Sequence, residues 1–254
     1  MNPILAMIRA GVRRTGFDVV RYRRVPLPPA DLDARDVAIW NRVRDYTMTS
    51  PERVAALARA VRYVVRAEIP GAIVECGVAW GGSIMAAALA LLECGVRDRE
   101  LWLYDTFEGM TPPGPEDVTG AGVTGTELFE QYTLHGRRAW YAVAVDEVGR
   151  NVWSTGYPMD QVHMVKGRVE DRLPGVMPAK MALLRLDTDW YQSTKHELVH
   201  LYPLLSPGGV LLLDDYGGWR GSRKAADEYL PGDVLLCRID QRGCIAVKPA
   251  RGGE

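Results

Sequence analysis

Three aspartates stand at the ends of two apolar segments in the second half of the chain. Asp187 follows residues 181–186, and Asp214 and Asp215 follow residues 210–213. Carboxylates placed together oppose each other's ionisation, and a hard divalent cation removes that cost. An all-oxygen ligand set favours Mg²⁺, Mn²⁺ or Ca²⁺ over Zn²⁺. We therefore predict a Mg²⁺-type site, although Asp is also common in ordinary strand-to-loop turns.

The sequence Asp187-Thr188-Asp189 is compatible with two other kinds of site. A D-x-D at a strand end can hold the metal of a nucleotide-sugar glycosyltransferase. It also begins a phosphohydrolase loop, although Tyr191 stands where that loop has Thr or Val. Neither alternative explains the glycine-rich turn that occurs earlier in the chain.

That turn lies in residues 73–83, IVECGVAWGGS. It reads as a buried strand with an acid, Glu75, near its end, a tight turn at Gly77 and the start of a helix at residues 81–83. Ligands of α/β sheets bind where strand ends meet helix starts, and free N–H groups at a helix N-terminus suit an anionic group. We predict a small-molecule cofactor over this turn, with an ordinary βα turn as the alternative.

The turn favours S-adenosylmethionine over a dinucleotide. Ala79 stands where the dinucleotide fingerprint has the glycine that lets the backbone approach a pyrophosphate. S-adenosylmethionine contains adenosine but no pyrophosphate. Asp105, at the end of the next strand, can accept hydrogen bonds from both ribose hydroxyls, with a loop cap as the alternative role.

Apolar strands alternate with helices along the chain, which predicts an α/β fold with a doubly wound, mostly parallel sheet and helices on both faces. Ser50 and Pro51 have the residue types of a helix N-cap and first helical position. Residues 206–209 are expected to form a loop. The expected strands are residues 73–75, 100–104, 162–166, 181–186 and 210–213, with a closing hairpin of 234–237 and 244–247; the expected helices are 32–44, 51–65, 84–93, 191–202 and 222–229.

Residues 106–160 interrupt this alternation with a stretch rich in Gly, Pro and Thr. A long insertion at the C-terminal end of a strand is typical of a functional loop. We predict a lid or acceptor-binding wall, with a surface excursion around its own small core as the alternative. Trp140, Tyr141 and Trp153 could stack on a sugar or pack in a core.

Residues 1–45 are predicted to form a helical arm, and residues 46–254 a single domain. The arm is basic, and Arg9 interrupts the apolar run that a signal peptide requires. A docking helix on a second subunit is favoured over a helix that touches a membrane or an anionic partner.

The 254 residues carry a net charge of −1, which favours no nucleic-acid partner. No apolar run reaches the roughly 18 residues of a transmembrane helix. The four cysteines have no metal-binding spacing and read as buried thiols in a reducing compartment. We therefore expect a cytoplasmic protein.

In order and spacing, several segments resemble the macrocin O-methyltransferase family, bacterial metal-dependent enzymes that methylate sugar hydroxyls. The resemblance covers about residues 41–230 and implies the Rossmann-like class I methyltransferase fold and a homodimer. The segments are YTMTSPERV, IVECGVAWGGS, LYDTFEGM, VKGRVEDRLP, LRLDTDWYQST and GGVLLLDDYGGW.

The same resemblance implies roles for individual residues. Those implied to bind S-adenosylmethionine are Glu75, Gly77 and Ser83 at the turn, Asp105 on the ribose, Thr47 and Met48 against the methionine part, and Val169 and Glu170 flanking the adenine. Those implied to bind Mg²⁺ are Asp187, Asp214 and Asp215.

The expected reaction is methylation of a hydroxyl on a small-molecule or oligosaccharide acceptor. Two neighbouring hydroxyls can chelate Mg²⁺, which lowers the pKa of the one that attacks. Asp187 is favoured as general base as well as ligand, with Asp189 as the second candidate. A catechol-like diol is an alternative acceptor, and a non-enzymatic cofactor-binding scaffold is an alternative function.

Overall fold

The computed structural model describes residues 29–134 and 141–250, and within them seven strands form one sheet. Residues 1–28 of the predicted arm, and Trp140, lie outside the described residues. The strands are β1 (Ala72–Cys76), β2 (Leu101–Asp105), β3 (Val162–Lys166), β4 (Met181–Leu186), β5 (Leu205–Leu213), β6 (Cys237–Arg238) and β7 (Cys244–Val247). The α-helices are α1 (Ala34–Val43), α2 (Pro51–Arg66), α3 (Gly82–Glu93), α4 (Gly125–Leu134), α5 (Val145–Trp153), α6 (Val169–Arg172), α7 (Tyr191–Leu201) and α8 (Arg220–Tyr229).

The strand order is β3-β2-β1-β4-β5-β7-β6. The first five strands are parallel, and β7 runs antiparallel to β5 and β6. The predicted doubly wound, mostly parallel sheet is therefore confirmed. In the register of the two central strands, Glu75 of β1 lies opposite Arg185 of β4.

Two apolar clusters cover the two faces of the sheet. One contains buried residues of α1, α2, α3 and α5, and the other contains buried residues of α6, α7 and α8. Helix α3 is apolar all round, as predicted, because it is buried almost completely between the sheet and its neighbours. Ser50 and Pro51 begin α2 as predicted, and the Ser50 Oγ accepts the backbone N–H of Arg53 at 3.2 Å.

Helix α1 packs into the core rather than extending from it as part of an arm. Ile39, Trp40 and Val43 are buried in the first cluster. Asp36 is also buried, and its carboxylate pairs with Arg59 at 2.7 Å and with Arg62 at 2.6 Å. The packed core therefore reaches across the expected boundary at residue 45.

Two strand predictions were wrong at their boundaries. Strand β5 begins at Leu205, so the expected loop at residues 206–209 is part of it, because a register shift in β4 accommodates Pro207 and the following glycines. The first strand of the closing hairpin is only β6, since Cys237 and Arg238 alone pair across to β7.

The insertion contains α4 and α5, and it is anchored at two places. Val148 and Val152 of α5 are fully buried in the first cluster. The backbone N–H of Arg220 donates to the Val118 carbonyl at 2.8 Å, and that of Gly120 donates to the Gly218 carbonyl at 3.3 Å. The burial of α5 fits the alternative interpretation of this segment as a surface excursion with a packed core. The hydrogen bonds of Val118 and Gly120 instead hold residues 114–125 against the loop after β5.

No helix in the described part of the chain is long and apolar enough to cross a bilayer. All four cysteines are free, and Cys76 and Cys244 are buried as expected. The expectation was wrong for Cys237, which is exposed because β6 forms an edge of the sheet.

Candidate active site

A cavity that opens to solvent lies at the C-terminal edge of the parallel strands. All of the sequence-predicted site residues line it. They are Thr47, Met48, Glu75, Gly77, Ser83, Asp105, Val169, Glu170, Asp187, Asp214 and Asp215. Positions distributed over 169 residues of sequence thus meet at one surface, as the switch-point rule for α/β sheets requires.

The turn after β1 is held by Asp105 from β2. Its Oδ2 accepts the backbone N–H groups of Val78 at 2.6 Å and Ala79 at 3.1 Å, and its Oδ1 accepts that of Phe107 at 2.7 Å. Ala79 has φ +48°, a left-handed conformation that costs an L-residue about 1–2 kcal/mol. In this conformation the two amides at the turn are occupied by Asp105. The geometry also corresponds to the loop cap considered for Asp105.

Gly77 brings the turn against the neighbouring strand end. Its φ is +80°, and a Cβ at this position would overlap the backbone carbonyl of Asp187. The backbone N–H of Asp187 in turn donates to the carbonyl of Cys76 at 2.8 Å. Glycine is therefore required here for close contact between this turn and Asp187, the first residue of the predicted metal site.

The start of α3 is less accessible than expected. The Gly82 N–H donates to the carbonyl of Tyr46 at 3.1 Å, so this amide is not available to an anionic ligand. The segment that covers the Gly82 amide continues into Thr47 and Met48. Both residues line the cavity, and Met48 is 57% exposed. Residues 46–48 therefore form one wall of the cavity over the helix N-terminus.

Asp187, Asp214 and Asp215 each place one carboxylate oxygen within 4.8 Å of the others. Asp214 and Asp215 are buried, and Asp187 is half-buried at the cavity. Burial, together with neighbouring carboxylates, raises the pKa of Asp187 and of Asp215. Such mutual repulsion is what a bound divalent cation relieves.

Arg185 joins the cofactor turn to this triad. Its Nη1 donates to Glu75 Oε1 at 2.5 Å and lies 2.9 Å from Asp187 Oδ2. Its Nη2 donates to Asp214 Oδ1 at 2.6 Å and to Thr49 Oγ1 at 3.1 Å. One guanidinium thus contacts acids at the ends of β1, β4 and β5. Burial raises the pKa of Glu75 to about 7, against the opposing effect of Arg185.

Arg53 supports the triad from α2. Its Nη1 pairs with Asp214, and its Nε donates to Asp240 Oδ2 at 2.9 Å. Asp240 also accepts the Ser50 hydroxyl at 2.6 Å. The loop between β6 and β7 reaches the cavity because β7 is antiparallel, so that Cys244 lies beside Leu213, and Arg242 of this loop lines the cavity.

The charges and donors around the triad fit a hard cation. The carboxylates (Glu75, Asp187, Asp189, Asp214 and Asp215) outnumber the guanidinium groups (Arg53, Arg185 and Arg242). Among the described residues, Asp215 Oδ2 is buried without a hydrogen-bond partner. An unsatisfied carboxylate oxygen beside two others is a set of oxygen ligands that suits a hard cation such as Mg²⁺. Glu75 Oε2 is likewise buried and unpartnered, which fits a ligand with hydrogen-bond donors over the turn.

Asp189 lies at the cavity in a left-handed conformation, φ +65°. Burial, followed by the charge of Asp187, raises its pKa to about 7. In the described chain no ion pair involves Asp189, in contrast to Asp187 and Asp214. A carboxylate without a cationic partner, next to the predicted metal site, is suited to accept a proton.

Asp117 of the insertion is buried beside the same loops. Its Oδ1 accepts the backbone N–H of Tyr191, the first residue of α7, at 2.7 Å, and its Oδ2 accepts that of Gly114 at 2.7 Å. Trp190 Nε1 donates to the carbonyl of Thr111 at 2.9 Å. The insertion is therefore attached to the segment that carries Asp187 and Asp189.

Of the aromatic residues predicted to contact a sugar, the structure describes Tyr141 and Trp153, and only Tyr141 lies at the cavity. Tyr141 lines it, but Trp153 does not and is 69% exposed at the end of α5. The interpretation of Trp153 as a core residue was therefore wrong, and its role in stacking on a sugar stays a prediction. Gly109, Met110 and Thr111 of the insertion do line the cavity.

Sequence reasoning missed Arg185, Arg53, Asp117 and Asp240. A signal existed for Arg185, since a lone arginine in the apolar strand MALLRL must find buried acidic partners. Arg53 lies in the first turn of α2, where nothing in the local sequence indicates its acidic partners. Asp117 and Asp240 lie in polar loops whose positions the local sequence does not indicate.

The family model described as Macrocin-O-methyltransferase (TylF) matches residues 19–244 of the chain. The demethyldecarbamoylnovobiocin O-methyltransferase of Streptomyces niveus is 33% identical over 72% of this chain and 67% of its own length. The 8-demethyl-8-(2,3-dimethoxy-alpha-L-rhamnosyl)-tetracenomycin-C 4'-O-methyltransferase of Streptomyces olivaceus is 36% identical over 77% and 74%. The mycinamicin III 3''-O-methyltransferase of Micromonospora griseorubida is 33% identical over 78% and 76%.

Solved structures agree with these sequence matches. The O-methyltransferase NovP superposes with a TM-score of 0.70 at 31% identity, over 80% of this chain and 82% of that one. The calicheamicin methyltransferase CalS11 superposes with a TM-score of 0.58 at 18% identity, over 91% and 98%. At that identity the second likeness concerns the fold alone.

Proposed function

The chain belongs to the macrocin O-methyltransferase family and is an O-methyltransferase with the class I methyltransferase fold. We propose that it transfers the methyl group of S-adenosylmethionine to a sugar hydroxyl with the help of Mg²⁺. The observation that carries this proposal is the carboxylate triad of Asp187, Asp214 and Asp215 in the same cavity as the Gly77 turn. Membership of the family removes the glycosyltransferase, phosphohydrolase and scaffold alternatives.

The donor is proposed to lie over the turn, in contact with Glu75, Gly77 and Ser83. Glu75 Oε2, which is buried without a partner among the described residues, supports a hydrogen bond from the donor. Asp105 would exchange some of its loop bonds for the ribose hydroxyls. At the two ends of the donor, the proposed contacts are Thr47 and Met48 with the methionine part and Val169 and Glu170 with the adenine.

Mg²⁺ is proposed to bind Asp187, Asp214 and Asp215, where it would supply Lewis-acid chemistry and lower the pKa of the attacked hydroxyl. Arg185 and Arg53 hold Asp187 and Asp214 in place. The cavity walls orient acceptor and donor, which contributes to rate by fixing their approach.

The hydroxyl proton passes to an aspartate as the acceptor oxygen bonds to the methyl carbon and the carbon–sulfur bond breaks. Asp187 and Asp189 are the two candidates for the base. The contacts favour Asp189, because an ion pair with Arg185 and coordination of a cation both weaken Asp187 as a proton acceptor. Among the described residues Asp189 forms no ion pair, and it is not a proposed ligand of the cation.

The acceptor is proposed to carry adjacent hydroxyls on a sugar, since the Streptomyces olivaceus relative is named for a rhamnosyl-bearing compound. Residues 109–111 and Tyr141 support a role for the 106–160 insertion as acceptor wall. A homodimer and a cytoplasmic location stay predictions, and light scattering after gel filtration tests the first.

The testing experiment incubates the protein with S-adenosylmethionine and a panel of rhamnosides, other glycosides and catechols, with mass-spectrometric detection of methylated product. We expect methylation of glycosides with adjacent hydroxyls, its loss with EDTA and its return with Mg²⁺. Matched deoxy-glycosides that lack one hydroxyl are the control. Faster methylation of catechols, or full activity in EDTA, would contradict the proposed acceptor or the proposed metal.

A further inference from the structure

We infer that the Glu75–Arg185 pair couples the donor site to the metal site, so that each ligand tightens the binding of the other. This inference rests on the proposed function, because it assigns the donor to the turn and the cation to the triad. It goes further in naming a route of communication between the two subsites through a buried arginine.

Arg185 is placed for this role by the sheet itself. It lies on β4 between β1 and β5, and its side chain is 4% exposed. Its register partner on β1 is Glu75, so the pair faces the cavity end of two adjacent central strands. The Nη1 atom serves both sites at once, with Glu75 Oε1 at 2.5 Å and Asp187 Oδ2 at 2.9 Å.

One positive charge is therefore shared among three carboxylates. Glu75 belongs to the donor turn, whereas Asp187 and Asp214 belong to the metal triad. Buried like charges repel one another strongly, because the surrounding dielectric is low. A cation on the triad would neutralise two of the three carboxylates and leave the field of Arg185 to act mainly on Glu75.

Glu75 can pass the effect of the cation to the donor through its second carboxylate oxygen. Its Oε2 is buried and, in the described part of the chain, has no hydrogen-bond partner. With less negative charge around it Glu75 stays ionised, and an ionised carboxylate accepts stronger hydrogen bonds from N–H or O–H groups of the donor than a protonated one does. Thermodynamic linkage then requires the donor to tighten cation binding by the same factor.

Calorimetric titration tests the coupling without measuring activity. S-adenosylhomocysteine is the probe, since it lacks the sulfonium charge that would repel the cation directly. We expect it to bind about tenfold more tightly with saturating Mg²⁺ than with EDTA, within the usual range of coupling between sites. The reverse titration of Mg²⁺, with and without S-adenosylhomocysteine, should give the same factor.

Variants separate this route from a general effect on the fold. Glu75→Gln keeps the shape but removes the charge, and its coupling factor should fall below about twofold. Arg185→Lys keeps the charge, but its one nitrogen cannot replace both Nη1, which contacts Glu75 and Asp187, and Nη2, which contacts Asp214, so it should also lose coupling. Arg53→Gln is the matched control, because Arg53 pairs with Asp214 but not with Glu75, and it should change Mg²⁺ affinity and keep the factor.

Equal affinities for S-adenosylhomocysteine with and without Mg²⁺ in the unmodified protein would overturn the coupling, even if every variant failed to fold. An unchanged factor in a folded Glu75→Gln protein would overturn the assigned route. If S-adenosylhomocysteine or Mg²⁺ did not bind at all, the proposed function would be overturned as well. Failure of the coupling is therefore distinguishable from failure of the proposed function.

Discussion

Asp117 caps helix α7 from the insertion, with its Oδ1 accepting the backbone N–H of Tyr191 at 2.7 Å from 74 residues away in sequence. An N-cap is ordinarily supplied by the residue just before the helix, which here is Trp190, whose side chain makes no capping bond. The helix that follows Asp187 and Asp189 is thus fixed by the segment proposed to bind the acceptor.

Asp117→Ala should lower stability by about 2 kcal/mol, because it removes a cap and leaves buried N–H groups unpaired. It should also raise the KM for the acceptor and weaken Mg²⁺ binding more than it weakens donor binding. Urea unfolding, kinetics and calorimetry measure these effects. Asp33→Ala is the control, since Asp33 caps α1 away from the cavity and its loss should leave Mg²⁺ affinity unchanged.

Two variants, Asp187→Asn and Asp189→Asn, should separate the role of metal ligand from the role of general base. The first should abolish turnover and weaken Mg²⁺ binding, with S-adenosylmethionine binding nearly intact. The second should lower kcat by about 10² or more, the usual contribution of a general base, with Mg²⁺ affinity close to normal. Near-normal turnover in either variant would remove that residue from the mechanism.

Gly77→Ala should disrupt the cavity, because the new methyl group would overlap the carbonyl of Asp187. We expect the affinity for S-adenosylhomocysteine to fall by about tenfold, equivalent to about 1.4 kcal/mol. Gly95→Ala is a matched control with nearly the same φ, +76°, and no atom within 4 Å of the added Cβ. It should cost about 1 kcal/mol of stability and leave ligand binding unchanged.

Asp36→Ala should destabilise the domain by about 3 kcal/mol, since removing one partner of a buried ion pair leaves Arg62 without its closest carboxylate. Asp227→Ala, which removes the exposed i,i+4 pair with Arg223 and the acceptor of the Tyr216 hydroxyl, should cost about 1 kcal/mol or less. Denaturant unfolding compares the two. Similar losses would show that burial of Asp36 is not what gives its ion pairs their strength.

The fold was predictable because its strands are apolar and its turns carry glycine or aspartate at their C-terminal ends. The same rule predicts that Glu75, Asp105, Asp187 and Asp214 lie at one edge of the sheet. Prediction failed at Pro207 and Gly208, where breaker residues lie inside β5, because pairing with neighbouring strands overrides local preference.

Contacts across long sequence separations were not predictable. Arg53 and Asp240 are 187 residues apart, and nothing in either local sequence indicates the other. Asp105 was assigned to a ribose from its position, whereas its bonds to Val78 and Ala79 depend on the path of the turn. Residue types at strand ends predict which groups meet, but the pairing among them depends on packing.

The antiparallel strand β7 has a consequence for how the enzyme matures in the cell. The ribosome releases a chain from its N-terminus at about 5–20 residues per second. Asp240, the second partner of Arg53, therefore emerges about 10–40 s after Arg53 itself, since 187 residues separate them. The five parallel strands therefore leave the ribosome before Asp240 does, and the edge of the sheet that carries the triad acquires its full set of charges only after them.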